Sequence, residues 1–82
     1  MAKMVKEKVD PFQVLQDRTK RLSAMYADDP FWQAMKAGCD AIESGNVTQE
    51  VIDLVRKEHD CWGPAMSNRK ALGMVLEKLQ EA

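Results

Sequence analysis

NVTQEVIDLVRKEHDCWGP, residues 46–64, decides the fold, because it is the one Val-rich stretch in a chain where β-branched residues are otherwise sparse. Its apolar residues do not alternate. Val51, Val55, His59 and Trp62 recur at steps of three and four, supported by Ile52 and Leu54, and that spacing predicts one face of a helix. Thr48 supplies a hydroxyl that can cap free amides, and Glu50 stands near the positive end of the helix dipole. Val47 and Ile52 have the spacing of a hydrophobic staple, and Gly63-Pro64 stops the segment.

The same punctuation recurs on both sides. Upstream, Asp29-Pro30-Phe31 combines a capping carboxylate with a proline whose missing N–H would have had no partner. The helix it opens carries Phe31, Trp32, Met35, Cys39 and Ile42 on one side, and Ala34, Ala37, Gly38 and Ala41 make that side thin enough for a neighbour to approach closely. Gly45 fits the left-handed residue that ends helices. Asp10-Pro11-Phe12 repeats the device and predicts a helix to about Ala27, with Phe12, Leu15, Thr19, Leu22 and Met25 inward. The likeness of the two Asp-Pro-Phe starts ends within a residue or two, so it is a shared start signal and no internal repeat. Downstream, Leu72, Val75, Leu76 and Leu79 give the fourth helix its inward face, which reaches about Gln80.

The sequence therefore reads as all-α: a small antiparallel bundle of four short helices over residues 10–82, preceded by a flexible N-terminal arm over residues 1–9. At 82 residues, roughly 60–65% of the unfolded surface can be buried, which allows one thin core and no deep private cavity for a cofactor. No apolar run approaches the roughly 18–20 residues of a membrane span, and Met1 to Val9 lack the apolar core of a secretory signal, so the expected location is the cytoplasm. Two cysteines are few for a disulfide-stapled secreted scaffold, which favours reduced thiols. Net charge is −1 but unevenly spread: residues 1–21 carry six positive and three negative charges, residues 22–63 three and eight.

Catalytic constellations are hard to assemble. Cys39, His59 and Cys61 are the only soft metal ligands, and their spacing matches no usual zinc pattern. If helices two and three pair across a turn near residue 46, Cys61 faces Trp32 and lies roughly 10 Å along the axis from Cys39, too far for a disulfide. His59 and Cys61 differ by about 200° around a helix, so a Cys-His pair requires the helix to have ended. No glycine-rich phosphate loop, Glu-x-x-His pair or calcium loop is present, and no cofactor or metal is expected.

Surfaces are more informative. The same pairing gathers Phe31, Trp32, His59 and Trp62 at one end, where they either plug the core or anchor a partner, and neighbouring Phe31 and Trp32 cannot both point fully inward. Six methionines suit flexible core filling or an adaptable docking surface, and Met66, after Gly63-Pro64, is the one expected at an exposed rim. Arg18, Lys20 and Arg21, with Arg69 and Lys70, could meet phosphate or an acidic partner, although a solvated helix face is the favoured reading. A helix starting at Ser67 would place Arg69 and Lys70 at its positive end, a conflict that a start at Pro64 would remove.

The leading expectation is a non-catalytic interaction protein, an accessory subunit, assembly factor or adaptor. It would dock on a larger protein or on itself through Phe31, Trp32, Trp62, Met66 and His59. One alternative is a helix-turn-helix-like nucleic-acid-binding regulator, disfavoured by the acidic middle; another is a subunit completing a partner enzyme's active site with His59, Cys61 or Trp62.

Overall fold

A computed structural model describes residues 10–81. The four helices are α1 (Pro11–Met25), α2 (Pro30–Ser44), α3 (Gln49–Asp60) and α4 (Ser67–Glu81), and no strand occurs among the described residues. The arm expected over residues 1–9 lies outside them.

Local hydrogen bonding sets the helix ends. Asp10 Oδ1 accepts from the Phe12 amide at 3.0 Å and Asp29 Oδ1 from the Phe31 amide at 2.9 Å, and in both cases proline occupies the first turn. Gly45 ends α2 at φ 76°, a left-handed conformation that a side chain would strain. Thr48 Oγ1 accepts from the Val51 amide at 3.3 Å and opens α3. Two boundaries differ from expectation: α1 ends at Met25 rather than Ala27, and α3 ends at Asp60, which leaves Trp62 in the following turn. The fourth helix starts at Ser67, so Arg69 does stand in its first turn. Its Nη1 donates to the Trp62 carbonyl at 2.9 Å, turning an unfavourable position into a clip across the α3–α4 loop.

The core forms where α2, α3 and α4 meet. Ala34, Met35, Val55, Leu72 and Val75 are wholly enclosed, and Leu79 nearly so. Gly38 sits at the closest approach: a Cβ there would lie 2.4 Å from Val75 Cγ1 and 3.1 Å from Val55 Cγ2. The small residues on α2 therefore do admit a neighbour, in fact two.

The first helix follows a different rule. It leans mainly on α2 and meets α4 along a short stretch. Its buried seam is Phe12, Gln16, Thr19 and Ser23, three of them polar, while Leu15 and Leu22 are half-buried. Met25, expected inward, is 69% exposed. The physical reason is the neighbour: Thr19 and Ser23 are small enough to lie against α2, and Thr19 Oγ1 donates to the Leu15 carbonyl at 2.7 Å, so its hydroxyl is buried at little cost.

Candidate functional site

The aromatic end is built by two helix termini. The Asp29-Pro30 start sets Phe31 and Trp32 in the first turn of α2, and the end of α3 delivers Trp62. Phe31 is 4% exposed and forms edge-to-face contacts with Trp32, at 4.7 Å between centroids, and with Trp62, at 5.9 Å. Both tryptophans are half-buried. Phe31 is thus the inward ring of the pair and Trp32 the sideways one, and the cluster largely plugs the core. Trp62 Nε1 donates to Glu58 Oε2 at 3.0 Å, which satisfies the indole without a partner molecule. Met66 is 47% exposed beside Gly63, as its position after Gly63-Pro64 suggested.

His59 lies in the last turn of α3. Among the described residues its one side-chain hydrogen bond is to the adjacent Asp60, Nδ1 to Oδ1 at 3.0 Å, and its ring lies over Gly73. Cys61 is an exposed free thiol and Cys39 a buried one. Burial pushes the Cys39 thiol up to about 11, so it is a poor nucleophile near neutral pH. No group of three His, Cys, Asp or Glu side chains that could hold a metal occurs among the described residues.

The basic candidates separate into two kinds. Lys20 pairs with Glu43 at 3.2 Å and Arg69 is held by the Trp62 carbonyl. Arg18, Arg21 and Lys70 form no ion pair among the described residues.

Arg18 and Lys70 flank a feature that periodicity did not reveal. A cleft of about 280 Å³ runs between α1 and α4, floored by Val14, Leu15, Ala71 and Met74. A narrower extension of about 60 Å³ continues from Leu15 and Ala71 to Phe31 and Trp32, so the cleft reaches the aromatic end. Among the described residues no carboxylate lines either part. A larger hollow of about 490 Å³ between Val47, Ile52, Arg56 and Gln80 is more polar. The signal that could have located the cleft was α1 itself, because Val14 fits no inward stripe. With Leu15, Leu22 and Met25 it lies roughly 70–170° around the helix from the buried seam, always to the same side.

No helix among the described residues is long and apolar enough to cross a membrane. No protein-family model, no curated protein and no solved structure matches this chain.

Proposed function

We propose that this chain is a small non-catalytic interaction protein, an accessory subunit, assembly factor or adaptor. It docks on a larger cytoplasmic protein through the surface that runs from the α1/α4 cleft to Trp32. The observation that carries this reading is the rotation of α1. That helix buries Gln16, Thr19 and Ser23 while Val14 is 50% and Met25 69% exposed. A helix that turns its polar seam inward leaves an apolar flank to be covered, and here the flank forms one wall of a cleft.

The expected anchors change accordingly. Trp32 and Trp62 hold Phe31 as well as presenting surface, so their truncation would loosen the fold and the docking face together. Val14 and Met74 test the surface more cleanly, since both line the cleft and neither belongs to the fully buried core. A photo-crosslinking phenylalanine analogue at Val14 or Met74, introduced in the native cell, is expected to give a discrete adduct that the same analogue at exposed Lys36 does not. Identical adduct patterns from all three positions would refute the reading.

A further inference from the structure

We infer, building on the docking reading above, that the cleft between α1 and α4 receives an acidic amphipathic helix from another protein. The dimensions favour a helix. The lining runs from Pro11 to Arg18 on one wall and from Ser67 to Met74 on the other, seven residue steps on each, or roughly 10 Å and two helical turns. That length seats apolar side chains from successive turns on Val14, Leu15, Ala71 and Met74, the recognition mode in which a helix lays one face into a groove.

Charge selects the helix. Arg18 stands on the α1 wall and Lys70 on the α4 wall, both without an ion-pair partner among the described residues, and among these no carboxylate lines the cleft to offset them. An inserted helix with carboxylates on both sides of its apolar edge meets a cation on each wall. The same charges disfavour the other occupants. A symmetric dimer through this face would set Arg18 and Lys70 against their own copies. Residues 1–9 carry three lysines and one glutamate and would bring more positive charge to a positive rim. A nucleic acid would match the cations and leave the apolar floor unused.

The experiment measures binding of the full chain to two fluorescent 18-residue helical peptides with identical leucine faces, one with glutamate and the other with lysine on the polar face. The glutamate peptide is expected to bind roughly tenfold or more tightly, two rim pairs each contributing a factor of about three, with the preference shrinking in high salt. The double substitution R18E/K70E, with folding checked by circular dichroism, should reverse the preference, and Val14→Ser should weaken both peptides. Equal binding of the two peptides, no reversal by R18E/K70E, or displacement of the glutamate peptide by a short DNA duplex would overturn the inference. So would crosslinks from position 14 that land on a second copy or on residues 1–9. Crosslinks to another protein with no peptide discrimination would leave docking intact and remove the acidic helix; crosslinks no better than those at Lys36 would remove docking itself.

Discussion

Gly38→Ala is the substitution on which the packing of this fold can be judged most directly, because two effects of opposite sign meet there and the geometry says which prevails. In the interior of α2, replacing glycine by alanine should stabilise the helix by about 1 kcal/mol. Against that, the new methyl would stand 2.4 Å from Val75 Cγ1 and 3.1 Å from Val55 Cγ2, where carbon atoms normally rest at about 3.5–4.0 Å. Neither valine can yield easily. Both are fully buried, and a β-branched side chain in a helix has essentially one rotamer, so the helices themselves must part. Overpacking of this kind costs about 1–3 kcal/mol, and a shortfall of more than 1 Å belongs at the top of that range.

The net expectation is a loss of about 2 kcal/mol, or about 8–16 °C in Tm for a chain of this size. Urea unfolding followed by helical circular dichroism measures it. Gly73→Ala is the internal control. It makes the same chemical change in another helix, but the added methyl lies 3.8 Å from the His59 ring, an ordinary contact, so it should stabilise by about 0.5–1 kcal/mol. Val75→Ala should couple favourably to Gly38→Ala, the double variant being more stable than the sum of the singles implies. If Gly38→Ala proves as stable as the parent, or both alanines shift stability in the same direction, then α2, α3 and α4 do not meet at Gly38 as described.

Three further outcomes follow from single groups. The native protein at pH 8 should expose one thiol, Cys61, to a disulfide reagent and release Cys39 only on unfolding. Because Cys39 ionises near 9.0 when unfolded and near 11 when folded, its contribution to stability is complete below pH 9 and is lost as pH rises towards 11. The urea midpoint of the parent should accordingly fall more steeply across that window than that of Cys39→Ala; parallel slopes would contradict the burial. Asp29→Ala removes the acceptor of the Phe31 amide and should cost about 1 kcal/mol, more than Lys36→Ala, which among the described residues pairs with Asp40 on the same exposed face. Equal Tm values for the two variants would mean that the cap contributes nothing.

The helix boundaries were legible because each is set by groups within a few residues of one another. Asp29 and Phe31, Thr48 and Val51, and Gly45 with its positive φ all act locally, so the sequence carries their effect undiluted. The rotation of α1 was not legible, because it depends on what lies opposite. Periodicity weighs Leu22 and Met25 above Gln16 and Ser23, and nothing within α1 records that the seam of Gln16, Thr19 and Ser23 is the one its neighbours cover. The aromatic end could be anticipated from the pairing of α2 with α3, and Phe31 is indeed packed between Trp32 and Trp62. The cleft belongs to the pair α1 and α4, which are distant in sequence, and no spacing within either helix encodes it.

Why α1 does not turn to close the cleft has a physical answer in its own sequence. Burying Leu15 and Leu22 more fully requires a turn of roughly 80° about the helix axis. Arg18 lies only about 50° from those leucines and would be carried to the edge of the new seam. Among the described residues no acidic side chain lines the cleft to receive it there, and Phe12, buried at 7% exposure, would leave the core on the other side. Taking an unpaired guanidinium out of water costs several kcal/mol, while completing the burial of two half-buried leucines returns about 1 kcal/mol each. The open arrangement is therefore the lower in free energy for the isolated chain. It stays so until a carboxylate arrives from outside to share the desolvation of Arg18, and this makes the residue that rims the cleft also the one that keeps it open.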